Sequence, residues 1–222
     1  SYVQAMVSRP QCFLRQAKLD KARTELVKNA SRKLEPQYLE QTLFDLALVD
    51  LFRMELDSCK ISLNRLLVET PRGMYVNDAV RLLYTLEKAG GDRELLGDYS
   101  EALFFLEREM VDSAEARLRQ IADAEASGLG DVALYELAQL SIGGADTAGA
   151  VEFVDRLDSE YPDSYYLPYG LRMKGDLFSQ TVDKQQEARD IYRYILENFP
   201  NFPFISDVRQ KVRLLEESLG AS

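Results

Sequence analysis

The chain carries few of the side chains from which active sites are built. Its 222 residues include no histidine, which removes Ser-His-Asp triads, histidine metal ligands and the commonest general base. Two cysteines, Cys12 and Cys59, stand 47 positions apart with no CxxC, so neither a zinc nor a dithiol pattern is present. The stretches "GGDREL" and "IGGAD" match neither GxGxxG nor a P-loop and read as turns that end helices. Carboxylates abound, yet no pair is singled out as acid and base. What remains is the Cys59 thiol and a concentration of tyrosine. "YPDSYYLPYGLRM", from Tyr161 to Met173, holds four tyrosines within nine residues, more than one helix face would be expected to turn inward. Exposed tyrosine joins apolar area to a hydrogen-bonding tip, the chemistry of a binding surface. No catalytic residue, metal ligand or cofactor is expected.

The elements that position these residues are helices. Apolar residues recur at helical spacing, as in Leu43, Leu46, Ala47 and Leu51, then Leu56, Cys59, Leu63 and Leu66. Glycine and proline fall between the runs: Pro36, Pro71, Gly90–Gly91, Gly143–Gly144, Pro162 and Pro200. This predicts an all-α chain of about ten helices, roughly 12–17 residues each, with no strand. The helices form pairs that repeat. A small residue is followed after four positions by a large apolar one and after three more by another, with proline at plus twelve in several copies. Cys59, Leu63, Leu66, Pro71 is one copy; Ala150, Val154, Leu157, Pro162 and Ala188, Tyr192, Ile195, Pro200 are others. Ala114, Leu118, Ile121 and Ala22, Leu26 follow without the proline. A small residue lets one helix cross another closely, so Cys59 reads as a packing residue standing where other copies have alanine, against the alternative of a reactive or disulfide-forming thiol. Asp20, Asp57 and Asp112, two residues before the small position, are expected to cap their helices.

The net charge is −10, but residues 1–72 hold 12 Lys+Arg against 9 Asp+Glu while the remainder holds 15 against 28. So acidic a body disfavours nucleic acid, whose phosphates need Lys and Arg, and suits basic partners. No run is long enough to span a bilayer, and no charged start precedes an apolar stretch as in a signal peptide.

This grammar resembles the tetratricopeptide repeat over nearly the whole chain. The resemblance implies a solenoid of about five helix pairs in one superhelical domain, 1–222. Its most regular repeats are 34–73 and 97–200, with an irregular extra helix in 74–96 and a capping helix in 201–222. Ala47, Ala102 and Ala138 match the small position of the family's first helix. The family's early tryptophan is missing, Cys59 to Ala114 is one helix too long, and "SQTVDKQQ" lengthens the last turn. The family implies a groove lined by first helices that grips a peptide or helix of another protein. Its groove positions fall on Phe44 and Leu48, Tyr99 and Leu103, Tyr135 and Gln139, and Tyr166, Tyr169 and Met173. "LDSEYPDSYYLPYGLRMKGD" and "ILENFPNFPFISDVRQKVRLLEE" further resemble bacterial cell-envelope repeat proteins, such as outer-membrane assembly lipoproteins and Tol–Pal coordinators. That implies a non-enzymatic periplasmic or envelope-associated scaffold, with cytoplasmic location the alternative. Its partner is a protein segment with basic flanks, and any lipid or membrane anchor lies outside this sequence. The alternative function is a structural subunit of a larger membrane-associated complex.

Overall fold

The structure, a computed structural model, describes residues 2–125 and 127–220. Among these the chain is all-α: twelve α-helices of 12–17 residues and one 3-10 turn. Twelve exceeds the ten expected from periodicity alone and equals five pairs with the extra helix expected in 74–96, here Val76–Lys88, and the capping helix expected in 201–222, here Ile205–Gly220.

The chain divides into two compact units, the division falling between Ile121 and Gly130. Unit 1 contains α1 (Tyr2–Arg15), α2 (Leu19–Ala30), α3 (Pro36–Phe52), α4 (Leu56–Glu69), α5 (Val76–Lys88), α6 (Arg93–Glu107) and most of α7 (Val111–Asp123). Unit 2 contains α8 (Gly130–Gly143), α9 (Thr147–Glu160), α10 (Leu167–Ser179), α11 (Gln185–Asn198) and α12 (Ile205–Gly220). Consecutive helices pack as pairs, α1 with α2, α3 with α4, α8 with α9 and α10 with α11, and α12 lies against α11.

The core of each unit is the repeat grammar. Ala22, Cys59, Ala114, Ala150 and Ala188 are at most 1% exposed, as are Leu26, Leu63, Leu118, Val154 and Tyr192 one turn later. Ala47, Ala102 and Ala138 on the first helices are fully buried. The α10–α11 pair uses Gly175 instead: a Cβ there would lie 2.6 Å from Tyr192 Cε1, so the bulkier tyrosine on α11 needs a still smaller residue opposite. In α5 the buried residues are Ala79, Leu82, Thr85 and Leu86, and it packs on α4. The next first helix, α6, meets α3 directly, with Ser100 Oγ donating to Leu51 O at 3.2 Å and the tilted rings of Phe52 and Phe104 centred 5.1 Å apart.

The turns after α1, α3, α6 and α8 share one structure. Ala17, Met54, Glu109 and Ala145 all take left-handed φ, 57–60°. The amide after each donates five residues back: Lys18 N to Phe13 O, Glu55 N to Asp50 O, Met110 N to Phe105 O and Asp146 N to Ser141 O, at 2.8–2.9 Å. This is the Schellman termination, made without the glycine it usually carries. The expected caps are corrected. Asp20, Asp57 and Asp112 lie inside the first turns of α2, α4 and α7, where α2 and α4 have no side-chain cap at all. There a carboxylate favours the positive helix end without closing a particular N–H. Side-chain caps are made by Asp92, accepting from Glu94 N and Leu95 N, and by Asp146, accepting from Gly149 N. The lengthened "SQTVDKQQ" turn is the 3-10 helix Val182–Lys184.

Candidate functional site

The tyrosines of 161–169 divide between a turn and a helix. Tyr166 ends the turn as the N-cap of α10, and Tyr169 sits in its first turn behind Pro168. Ser164 fixes the turn: its Oγ donates to Asp131 Oδ2 at 2.6 Å and accepts from Tyr166 N at 3.0 Å. Asp131 is fully buried in the first turn of α8, so α8 and the turn are tied together. The rings then pack in series. Tyr135 lies 5.0 Å from Tyr166 and 6.0 Å from Tyr169; Tyr169 meets Phe202 edge-on at 4.9 Å; Phe202 and Phe204 are 5.5 Å apart. Arg172 closes the series over Phe204 at 4.6 Å, a cation–π contact. Three of the hydroxyls are satisfied within it, Gln139 Nε2 donating to Tyr135 OH at 2.7 Å and the Tyr165 and Tyr169 hydroxyls bonded at 3.0 Å.

The nine groove positions separate on this geometry. Tyr166, Tyr135 and Tyr169 are 1%, 3% and 5% exposed, which corrects their placement as the open aromatic centre of a groove. Leu48 and Tyr99 are buried too. Phe44, Leu103, Gln139 and Met173 are half-buried and reach the surface. The expectation that so many tyrosines could not turn inward failed because the aromatics of the 199–204 turn and the buried face of α8 supply walls on either side of α10. In unit 2 the structure brings Tyr135, Gln139, Tyr166 and Tyr169 into one cluster; Phe44 stacks instead on Tyr75, centroids 5.1 Å apart.

The accessible part of the cluster is an open cavity of about 360 Å³ at the ends of α10 and α11, lined by Tyr165, Pro168, Tyr169, Phe199, Phe202 and Pro203. Two aromatic-proline turns, "YPDSYYLP" and "FPNFPF", supply its walls. Sequence reasoning placed the binding aromatics on first helices and missed this turn-built cavity, although the doubled aromatic-proline phrase was its signal.

Unit 1 holds the carboxylates that burial pushes above their ordinary range. Asp50, 1% exposed, is paired with Arg23 at 2.6 Å. Asp45 has no such cation: burial, and then the Glu107 carboxylate, push it up to about 7 against a hydrogen bond from Gln11, and its Oδ2 lacks a partner. Burial also raises Glu107, and Tyr75 is raised by burial and by the carboxylates of Asp45, Asp78, Glu40 and Glu107 around it. Cys59 is fully buried and its thiol is pushed up to about 12 by burial, so it is not a nucleophile near neutral pH. Cys12 is exposed, and both cysteines are free. Among the described residues no three acidic or cysteine side chains come together as a metal site. Nor is any helix there long and apolar enough to cross a membrane. No protein-family model and no curated protein matches the chain.

Proposed function

We propose that this chain is a non-enzymatic protein–protein interaction scaffold of the tetratricopeptide kind, working in a bacterial cell-envelope assembly. Unit 2 anchors a peptide or helix of its partner in the aromatic-proline cavity, and the half-buried first-helix residues Gln139 and Met173 extend the contact. The observation that carries this reading is the cavity itself: rigid rings and prolines at its wall, with polar Asn198 and Asn201 beside them. Aromatic and proline surface offers contact area with little side-chain entropy to lose, the composition of binding hot spots. Asp163 is the charged residue of its lining, so the partner segment is apolar with basic flanks and its binding weakens with salt. Tyr165→Ala and Met173→Glu, compared with Lys184→Ala, test it by recovery of partners from an envelope fraction. Partners retained by the parent and Lys184→Ala, and lost by the first two variants with unchanged melting, support the reading; equal recovery by all four chains refutes it.

A second reading, a structural subunit that meets neighbours through its outer faces, is favoured by Ile61 and Val68. These are 67% and 79% exposed and two turns apart on α4.

A further inference from the structure

We propose that a second recognition site lies in unit 1, where a cleft between the start of α3 and the α4–α5 turn takes an arginine or lysine side chain of a partner protein, with Glu40 as its counter-ion. The cleft has a volume of about 600 Å³, and its lining includes Glu35, Glu40, Glu69, Thr70, Arg72 and Met74. The inference does not rest on the cavity of unit 2.

Glu40 carries the argument. It is 4% exposed, it lines the cleft, and its Oε2 is shut off from solvent with no hydrogen-bond partner. A carboxylate so enclosed is ordinarily paired, because burying an uncompensated charge is costly. The chain has pairs for other acids here: Arg65 Nε holds Glu69 at 2.6 Å, and Gln37 Nε2 donates to Glu35 at 3.3 Å. The residue opposite Glu40 has been kept small. A Cβ on Gly73 would lie 1.6 Å from Glu40 Oε2, so the glycine leaves the space that the carboxylate fills. Its backbone is held in the turn by Gly73 N donating to Thr70 O at 2.9 Å.

The surroundings select a cation over an anion. Three carboxylates line the cleft against the single exposed guanidinium of Arg72. The first turn of α3 would attract an anion, but Glu35 at its N-cap already supplies that negative charge. At the mouth Met74 is 86% exposed, an adaptable apolar surface for the aliphatic stem that an arginine or lysine brings with its charge.

The test is a titration of the isotope-labelled full chain, followed by NMR at the Gly73 and Glu40 amides. Acetyl-arginine methylamide is expected to give saturable shifts there with a millimolar dissociation constant, and acetyl-norleucine methylamide none. Glu40→Gln should weaken the arginine probe by about tenfold or more, while Glu69→Gln, whose carboxylate Arg65 already engages, should change it by less than about twofold. An unsaturable response to arginine, equal shifts with norleucine, stronger shifts with inorganic phosphate, or undiminished binding by Glu40→Gln would each overturn the proposal. The parent chain decides between arginine, norleucine and phosphate even where Glu40→Gln lowers stability. Tyr165→Ala should leave this titration unchanged, which separates its failure from that of the unit 2 site.

Discussion

Replacing Asp45 by asparagine should stabilise unit 1 at neutral and alkaline pH and remove much of its pH dependence. Asp45 is 8% exposed on α3, with Gln11 of α1, Glu107 of α6 and Tyr75 before α5 around it and Arg15 acting on Glu107. Its folded pKa of about 7 stands above the ordinary value of 3.8. Between those values the folded state holds more protons than the unfolded state, so the stability of unfolding must fall as pH rises through that window. Below it both states are protonated and nothing is lost; above it the loss is complete. A rise of that size corresponds to about 4 kcal/mol at about 1.4 kcal/mol per pKa unit, an upper figure for an isolated site. Asparagine keeps the shape and can still accept from Gln11, but carries no charge. Urea unfolding of parent and Asp45→Asn from about pH 4 to about pH 8 reads the difference. The two curves should start close together and separate as pH rises, the variant becoming more stable by up to about 4 kcal/mol. A constant offset, or a parent that gains stability relative to the variant with rising pH, would refute the reasoning.

Gly175→Ala should destabilise by about 1–3 kcal/mol, because the new methyl meets the ring of Tyr192 at the α10–α11 crossing; thermal melting against a Gly175→Ala, Tyr192→Leu double variant should recover part of the loss. Ala145→Gly, at a left-handed φ of 59°, should raise stability by up to about 1 kcal/mol by relieving the strained termination, whereas a glycine placed mid-helix at Ala138 should lower it. Cys59→Ala should fold with a small loss, while Cys59→Leu should overpack the α3–α4 crossing by about 1–3 kcal/mol. The Cys59 thiol should also resist a soluble thiol reagent at neutral pH in native chain and react once unfolded, since burial holds it protonated up to about 12.

The paired helices were legible in the sequence because one constraint repeats. Each crossing needs a small residue with large ones a turn later, and that spacing survives at Cys59 and at Tyr192 as well as at the alanines. Gly175 escaped because its small size compensates for Tyr192 on another helix, a correlation that spacing along one helix does not carry. The caps were misassigned because aspartate suits both a cap and a first turn, and only the left-handed residue between the helices fixes where the next one begins. The tyrosines were the deepest miss. A run of four looks like surface when judged by one helix, but the walls that bury Tyr166 and Tyr169 come from Tyr135 some thirty residues earlier and Phe202 as far beyond. Glu40 was silent for the same reason, since its enclosure depends on Gly73.

The most direct test of the scaffold reading is site-specific photocrosslinking of the full chain in an envelope fraction. p-Benzoylphenylalanine is introduced in place of Tyr165, half-buried at the unit 2 cavity, and separately in place of Ile61, 67% exposed on α4. The scaffold account predicts one dominant protein adduct from position 165, diminished by added salt and by Met173→Glu, and no corresponding adduct from position 61. An adduct from position 61 with none from position 165 would contradict it and put the chain's contacts on its outer face.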